Sequence, residues 1–351
     1  MNLKQRAGRA ALVSALVFLG AGLDRASGAS PQAGNFITID VPGSSGTSAY
    51  SISNHGTIVG NYGDVNGVHG FVRAAGGEIA TFNIPSSAQT LPVAINNGGA
   101  ITGSYADANG AYHGFLLTPN QPVITFDAPG AGAGNLQGTR PTSINDSGEV
   151  AGSYLDANLV NHGFVRQPDG TISTFDAPGA NSVPFDGTLV TAIGDSGIVT
   201  GFDIDASGVF HGFGGVPTRI VTIDIPGAGN GVFLGTRSLA ISSANTLTGY
   251  YFDSSGACHG FLLAKGGVVT RFHVGDAVTP LSINAAGAVT GNFHNSSGWH
   301  GFLRMPAGTI VRFDDPAGAN ETFPESINGT GVITGYYYDA NFVSHGFIFT
   351  P

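Results

Sequence analysis

The sequence predicts an all-β protein, a seven-bladed β-propeller built from four-stranded antiparallel blades. Two observations lead to this fold class. The tripeptide His-Gly-Phe recurs seven times, always within the same order of short blocks that have the composition of strands. The two ends of the chain carry incomplete repeats that complement each other. We therefore expect the N-terminal strand to complete the last blade and to close the ring.

The copies of His-Gly-Phe set the length of the repeat. Successive copies are 44, 49, 49, 48, 41 and 45 residues apart. Units of this length with several short strands are typical of propeller blades, whereas a β-solenoid, the alternative, normally has a shorter repeat. The copies begin at His69, His113, His162, His211, His259, His300 and His345.

Four blocks make up each repeat, and the copy around His162 shows all of them. Residues 143–148 read Ser-Ile-Asn-Asp-Ser-Gly, and residues 150–154 read Val-Ala-Gly-Ser-Tyr. The His-Gly-Phe block is third, and residues 172–179 (Ile-Ser-Thr-Phe-Asp-Ala-Pro-Gly) are fourth. Each block is rich in β-branched and aromatic residues and is bounded by Gly, Asn, Asp or Pro. This pattern indicates four strands, A to D, joined by turns.

The chain ends indicate how the ring would close. Residues 36–43 read Phe-Ile-Thr-Ile-Asp-Val-Pro-Gly, which is a fourth block without a blade of its own. The last residues, 345–351, form a third block without a successor. Pairing of residues 36–40 with residues 345–349 is therefore predicted to complete blade seven.

The first 29 residues have the pattern of a secretory signal peptide. Lys4, Arg6 and Arg9 precede an apolar stretch over residues 10–23, and small residues follow at 26–29. We expect residues 1–29 to be removed, residues 30–351 to form a single propeller domain, and the protein to be secreted or periplasmic. An uncleaved membrane anchor is the alternative, although the apolar stretch is short for a membrane span.

The chain from Ser30 onward is acidic. It has nine Lys and Arg against 22 Asp and Glu, a net charge of −13. Nucleic acid and anionic membrane surfaces are therefore disfavoured as partners, because both need clustered Lys and Arg. The single cysteine, Cys258, excludes an intrachain disulfide. We expect Cys258 to be buried, with a reactive thiol as the alternative. We also expect the protein to be a monomer.

The repeat resembles that of the HAF-repeat family of predicted extracellular repeat proteins. Those proteins carry a similar Ile-Asn-x-x-Gly-x-Val-x-Gly block, followed by His-Ala-Phe. Residues 144–152 here read Ile-Asn-Asp-Ser-Gly-Glu-Val-Ala-Gly, and Gly replaces the middle Ala in all seven copies. The resemblance covers almost the whole chain after residue 30. It implies an exported repeat protein and no defined activity.

The seven repeat histidines are predicted to be structural. A propeller places them in seven separate blades, whereas an active site needs one convergent set of acid, base and nucleophile. His69 and Phe71 lie on one side of their strand because strand side chains alternate. We expect the histidine to bond a neighbouring strand or turn and the phenylalanine to pack between blades. Catalysis or metal binding is the alternative, and we assign no catalytic residue and no metal ligand.

Acidic loops precede several of the His-Gly-Phe copies, as at residues 107–110 (Asp-Ala-Asn-Gly) and 156–158 (Asp-Ala-Asn). Calcium binds six to eight oxygen ligands, and each of these loops offers two or three. The same residues favour tight turns. We therefore predict turns and no cofactor, with calcium binding as the alternative.

The predicted ligand site lies on the loops that join strand D of one blade to strand A of the next. Three of these loops are long and variable, and variable loops on a rigid scaffold commonly bind ligands. Arg140 and Arg237 occupy equivalent positions beside the expected mouth of the central channel, where they are predicted to bind a ligand. The alternative is that each makes a salt bridge or a turn contact within the protein. The predicted ligand-binding residues are Arg140, Arg237, Asp186 and Trp299.

The leading function is that of an extracellular or periplasmic binding or scaffold protein whose ligand is a glycan, a peptide or a small acid. Tyr250, Tyr251, Tyr337 and Tyr338, with Trp299, offer rings for stacking. One alternative is a hydrolase or lyase that acts on an extracellular polymer at the channel mouth. The other is a purely structural surface or matrix protein. Propellers serve all three functions, and the lack of a catalytic motif favours a non-enzymatic role.

Overall fold

The computed structural model describes residues 34–318 and 321–351. The predicted signal peptide lies outside the described residues. Within these two ranges the backbone forms strands and turns, and no part of it is a helix with the length and hydropathy of a membrane span.

Antiparallel pairing joins the strands of the described chain into sets of four, and we call each set a blade. Strands are lettered A to D within a blade. Blades 1 to 3 contain β2 (Gly46–Ile52), β3 (Ile58–Asp64), β4 (Gly67–Arg73) and β5 (Ile79–Phe82); β6 (Gln89–Ile95), β7 (Ile101–Ala106), β8 (Tyr112–Leu117) and β9 (Ile124–Phe126); and β10 (Gly138–Ile144), β11 (Val150–Leu155), β12 (Asn161–Arg166) and β13 (Ile172–Phe175).

The later blades repeat the same order of strands. They contain β14 (Thr188–Ile193), β15 (Val199–Ile204), β16 (Phe210–Val216) and β17 (Arg219–Ile223); β18 (Gly235–Ile241), β19 (Leu247–Phe252), β20 (Cys258–Leu263) and β21 (Val269–Phe272); β22 (Ala277–Ile283), β23 (Val289–Asn295), β24 (Gly298–Arg304) and β25 (Ile310–Phe313); and β26 (Thr322–Ile327), β27 (Ile333–Tyr338), β28 (Ser344–Thr350) and β1 (Asn35–Ile39).

Strand D of blade 7 comes from the other end of the chain. β1 pairs antiparallel with β28, with Phe36 opposite Phe349 and Ile39 opposite Gly346. Phe36 also packs on Phe313 of blade 6, with 6.1 Å between ring centroids. The first described strand therefore belongs both to the ladder of blade 7 and to the core between blades 6 and 7.

Strand A carries a β-bulge at the same place in every blade. One residue is skipped in the A–B ladder, which leaves it unpaired and bends the strand. The isoleucine two residues later lines a cavity of about 230 Å³, so the A strands meet around one opening. The bulged residues are Tyr50, Val93, Thr142, Thr191, Leu239, Leu281 and Glu325.

The hydrophobic core lies between successive blades. Phe164 of blade 3, for example, packs in one cluster with Leu116 of blade 2 and Ala128 of the following loop. The phenylalanine of every His-Gly-Phe copy is fully buried, because the neighbouring blade covers it: Phe71, Phe115, Phe164, Phe213, Phe261, Phe302 and Phe347.

The middle glycine of the repeat leaves room for an aromatic ring of strand D. A Cβ atom on Gly163 would lie 2.5 Å from Cζ of Phe175, a distance that real Cβ contacts do not reach. The same clash, with a D-strand phenylalanine at 2.6 Å, would occur at Gly70, Gly114, Gly260 and Gly301. This contact gives a physical reason for Gly at the position where the HAF repeat has Ala.

Removing β1 should destabilise the whole domain. A chain that begins at Ser44 loses the β1–β28 ladder and the Phe36 contacts, while a chain that begins at Gly34 keeps both. We expect the shorter chain to lose far more stability than the ~1 kcal/mol of an average point substitution. Urea unfolding of the two chains measures the difference, and equal midpoints would show that β1 is dispensable.

Gly163→Ala should cost about 1–3 kcal/mol, because the added methyl group overpacks against Phe175. In a Phe175→Ala background the same change should cost little, so a double-mutant cycle of unfolding free energies should show strong coupling. Gly266→Ala is the matched control, since its Cβ would meet nothing within 4 Å. Additive effects at Gly163 and Phe175 would contradict the explanation.

Candidate functional site

The B–C turns and D–A loops lie on one face, called the loop face below, and the repeat histidines join them. In each blade the Nδ1 atom bonds the residue that follows strand D, at 2.7–3.0 Å. The Nε2 atom faces the first residue of the B–C turn, at 2.9–3.9 Å. The partners of Nδ1 are Asn83, Asp127, Asp176, Asp224, His273, Asp314 and Asp40.

An aromatic ring of strand B lies against six of the seven histidines, with centroids 4.8–5.2 Å apart. Each histidine is thus held by two polar partners and, in six blades, by a ring of its own blade. This geometry gives every repeat histidine a role in joining strands B, C and D. The rings are Tyr62, Tyr105, Tyr154, Tyr251, Phe293 and Tyr337.

Blade 4 departs from this pattern, because Asp203 stands where the other blades have the ring. Asp203 pairs with His211 in the B–C ladder and is fully buried. Neither carboxylate oxygen has a hydrogen-bond partner among the described residues. Burial, and then the nearby carboxylates of Asp224 and Asp205, raise the pKa of Asp203 to about 7, against the opposing effect of His211.

The acidic B–C loops form turns in which the aspartate binds backbone N–H groups. Oδ1 of Asp107 accepts hydrogen bonds from the N–H of Asn109 at 2.8 Å and of Ala111 at 2.9 Å. The Ala111 N–H lowers the pKa of Asp107 most, and the Asn109 N–H adds to it. These bonds are the turn chemistry that the sequence predicts at these loops. Calcium binding there stays the alternative interpretation.

The long D–A loops of the loop face hold bulky apolar residues in the left-handed region of backbone conformation. Leu136, Phe185 and Phe233 occupy equivalent positions and have φ angles of 70°, 72° and 64°. Each backbone N–H donates to a carbonyl of the preceding blade, at 2.6–2.9 Å. Phe185 and Phe233 are 43% and 56% exposed. Neighbouring loops therefore hold strained residues in place and present their side chains to solvent.

The two arginines predicted to bind a ligand are held by the protein itself. Each guanidinium lies over an aromatic ring of the preceding blade, at 4.1 Å for Arg140 and 3.4 Å for Arg237. Each also donates to a backbone carbonyl, at 2.6 and 3.3 Å. Arg237 is buried and Arg140 is half-buried. The rings are Tyr112 and Phe210, and the carbonyls belong to Leu136 and Phe233.

Asp186 and Trp299 lie in different parts of the loop face, Asp186 just before β14 and Trp299 in β24. The backbone carbonyl of Asp186 accepts a hydrogen bond from the Asn161 N–H, and its carboxylate accepts one from the Asn181 amide at 3.2 Å. Trp299 is half-buried and lies against Phe323 of blade 7, with centroids 6.3 Å apart. The four predicted residues therefore do not converge: three belong to blades 3 to 5, and Trp299 belongs to blade 6.

Trp299 belongs to a set of rings that we call the aromatic row, which comprises Trp299, Phe323, Tyr336, Tyr338 and Tyr50. Phe323 stacks on Tyr336 with centroids 5.2 Å apart, and Tyr338 meets both rings edge-on. Tyr50 of blade 1 meets Tyr336 at 6.2 Å. Tyr338 also lines a loop-face pocket of about 180 Å³, so the row connects that pocket with the bulge of blade 1.

Glu325 is the bulged residue of blade 7, in the strand that also carries Phe323 of the aromatic row. Burial alone raises the pKa of its carboxyl to about 8. Burial, and then the Glu325 carboxylate, raise the pKa of Tyr50 to about 12. Sequence reasoning missed Glu325, Phe323 and Tyr50. Aligning the A strands reveals the signal, because Glu325 is the only acidic residue among the seven bulged positions.

Replacing Asp203 should change how stability depends on pH. A folded pKa near 7 lies above the unfolded value near 4, so the folded state holds the extra proton between these values. Wild-type stability should therefore fall as pH rises from about 4 to about 7, and Asp203→Asn should remove this loss.

The melting temperatures of wild type and Asp203→Asn at pH 4.5 and 7.5 test this expectation. The melting temperature of the variant, relative to that of the wild type, should be higher at pH 7.5 than at pH 4.5. Tyr154→Asp, which places an acid at the same position of blade 3, is the converse variant and should introduce the same loss. A difference between wild type and Asp203→Asn that is equal at both pH values would contradict the account.

Comparisons with known proteins agree on the fold. No family model matches the chain, and no curated protein matches it. A streptogramin B lyase structure superposes with a TM-score of 0.56 at 13% identity, over 90% of this chain and 98% of that chain. Virginiamycin B lyase from Staphylococcus aureus superposes with a TM-score of 0.59 at 11% identity, over 91% and 100%. The β-propeller domain of the Trilobed protease from Pyrococcus furiosus gives 0.55 at 8% identity, over 86% and 95%. The chain therefore has the all-β propeller fold that its repeat predicts.

Proposed function

We propose that this chain is an exported, seven-bladed propeller of the HAF-repeat kind, closed by β1, that binds a ligand on its loop face. The closed ring is supported by the β1–β28 ladder. It is also supported by two hydrogen bonds between blades 7 and 1. The Asn328 amide donates to the Ser53 carbonyl at 3.3 Å, and the Gly329 N–H donates to Oδ1 of Asn54 at 2.6 Å.

The observation that carries the binding function is the set of loop tips in blades 3 to 5. A left-handed conformation costs a non-glycine residue about 1–2 kcal/mol, and a phenylalanine that is about half exposed recovers only part of that cost by burial within the fold. Strain of this kind persists where the surroundings impose it, and it is concentrated at binding sites. Phe185 and Phe233 are strained in this way. A carbonyl of the neighbouring blade accepts a hydrogen bond from each backbone N–H and so imposes the strained conformation.

The exposed side chains favour a glycan or a peptide over a small acid. Phenylalanine rings stack on sugar rings or on apolar side chains, and Val183 and Val232 extend the apolar surface beside them. A small acid would depend on Arg140 and Arg237. Each guanidinium already lies over an aromatic ring and donates to one backbone carbonyl, and Nη1 of Arg237 is buried without a hydrogen-bond partner among the described residues. The ligand is therefore proposed to be an extracellular glycan or polypeptide.

Replacing the loop tips by glycine should abolish binding and leave the fold intact. We expect Phe185→Gly with Phe233→Gly to shift the unfolding free energy by no more than about 1 kcal/mol per site, because glycine adopts positive φ without steric cost. The fluorescently labelled chain from Ser30 onward is tested on a glycan array and a peptide array. Spots bound by the wild type should be lost with the double variant.

The matched control is Val268→Gly with Val65→Gly, which removes two exposed apolar side chains outside the D–A loops. This control should bind as the wild type does. Binding that survives the loop-tip changes would contradict the proposal, and so would a wild type that binds no spot on either array. The second result would favour the structural matrix protein or the polymer-cleaving enzyme.

A further inference from the structure

The long D–A loops of the loop face are joined to one another by the B–C turns between them. The B–C turn of blade 3, residues 156–160, contacts the loop on each side of it. The Gln137 amide of the first loop donates to the Ala157 carbonyl at 3.1 Å. The Phe185 N–H of the second loop donates to the Leu159 carbonyl at 2.6 Å. This turn therefore lies between the tips of two successive loops.

The B–C turn of blade 4, residues 205–209, is held in the same way. The Asn181 amide of the second loop donates to the Asp205 carbonyl at 2.7 Å, and the Phe233 N–H of the third loop donates to the Gly208 carbonyl at 2.8 Å. Loops and turns thus alternate without interruption. We call this surface the tip row, and it comprises residues 127–137, 156–160, 176–187, 205–209 and 224–234.

Exposed apolar side chains recur along the tip row, from one loop to the next. Val183 and Phe185 of the second loop are 55% and 43% exposed. Val232 and Phe233 of the third loop are 61% and 56% exposed, and Leu136 at the equivalent tip of the first loop is half-buried. The apolar surface is therefore a series with one unit for each blade.

The tip row is acidic between these apolar units. Its sequence contains six aspartates and no lysine, arginine or histidine. Arg140 and Arg237, which follow two of the loops, lie over aromatic rings, and the Arg271 guanidinium donates to the Pro226 carbonyl at 2.6 Å. The side chains of the aspartates that begin the three loops are about half exposed. The six aspartates are Asp127, Asp156, Asp176, Asp186, Asp205 and Asp224.

The aspartates of the two turns are ionised at neutral pH. Burial opposes ionisation of Asp205, but the N–H groups of Val209 and Ser207, together with the repeat histidine of the blade, lower its pKa below the usual range. The equivalent groups of blade 3 lower the pKa of Asp156 against the same effect of burial. Negative charge therefore lies between successive apolar tips.

This alternation favours a polypeptide over a glycan. Sugar rings stack on flat aromatic faces, whereas the valine and leucine side chains of the row offer no such face and suit apolar side chains. Negative charges attract a basic ligand and repel an acidic one. Packed sheets lie about 10 Å apart and the blades diverge from the axis, while four residues of extended chain span about 13 Å. One apolar side chain in every four residues therefore matches one tip for each blade.

We propose that the tip row binds an extended polypeptide in which apolar and basic side chains alternate along one face. The apolar side chains contact the loop tips, and the lysine or arginine side chains between them pair with the aspartates of the turns. This inference rests on the proposed function of the loop face, and it names the class of ligand which that face binds.

A synthetic peptide with three repeats of Leu-Ser-Lys-Ser is the probe, because every second side chain of an extended chain lies on the same face. Labelled with an uncharged dye, it should bind the chain from Ser30 onward saturably in fluorescence anisotropy. A peptide with Glu in place of Lys, or with Ser in place of Leu, should bind at least about tenfold more weakly. Raising the salt concentration should weaken binding, because exposed charge pairs are screened. Phe185→Gly with Phe233→Gly should abolish binding.

Asp156→Asn with Asp205→Asn removes the charge between the tips and keeps an oxygen for the turn. Blade 6 shows that asparagine serves there, since Oδ1 of Asn295 accepts the Ser297 N–H at 2.7 Å. The double variant should bind the Lys peptide about three- to tenfold more weakly. The matched control is Asp64→Asn with Asp339→Asn, in blades whose following D–A connections, residues 83–88 and 40–45, are short. This control should bind as the wild type does.

Equal affinity for the Lys and Glu peptides would overturn the proposal, and that comparison needs no variant to fold. Tighter binding of a glucosamine hexamer would overturn it in favour of a cationic glycan. No saturable binding up to about 1 mM Lys peptide would also overturn it. If the glycan and peptide arrays still show a ligand that the loop-tip changes abolish, the loop-face site stands and only this inference is wrong. If the arrays show none, the proposed function is wrong as well.

Discussion

The structure depends on one constraint: a blade cannot bury its own faces. Four short strands form a sheet with two apolar sides, and each side is covered by a neighbouring blade. The phenylalanine of the His-Gly-Phe strand meets this constraint, because it is fully buried against a neighbour in every blade. The small glycine beside it lets a ring of strand D approach closely, as at Gly163 and Phe175. The histidine then fixes the end of strand D to the B–C turn, as His162 does through Asp176.

A scaffold with this regularity makes its irregular positions informative. The blades solve the same packing problem repeatedly, so a residue that departs from the repeat is not required by the packing. Asp203 is such a residue, since a buried carboxylate without a hydrogen-bond partner in the described chain replaces the ring contact of the other blades. Glu325 is another, at a bulge where the other blades have apolar, hydroxyl or phenol side chains. The strained loop tips at Phe185 and Phe233 are a third departure, confined to blades with long D–A loops.

The distribution of charge follows from the same architecture. Aspartates occupy most of the B–C turns, where their oxygens accept backbone N–H bonds, and most of the ends of D strands, where they bind histidine. Both positions lie on the loop face, so the chemistry of the turns gives this face a negative potential. Two arginines of this face, Arg140 and Arg237, are used in packing between blades. A ligand that approaches this face meets acidic groups and aromatic rings.

The sequence by itself determined the propeller fold and the strand order, because the seven His-Gly-Phe copies repeat the local strand and turn preferences at a constant interval. It also indicated which strands would pair at the chain ends, as seen between β1 and β28. It did not reveal that Arg140 and Arg237 face aromatic rings of the preceding blade, or that Trp299, Phe323 and Tyr50 form one surface. Those contacts join residues of different blades, and their direction depends on how the blades are rotated about the common axis. Only the tertiary structure decides that rotation, because it results from packing between whole sheets and not from the preferences of any single strand.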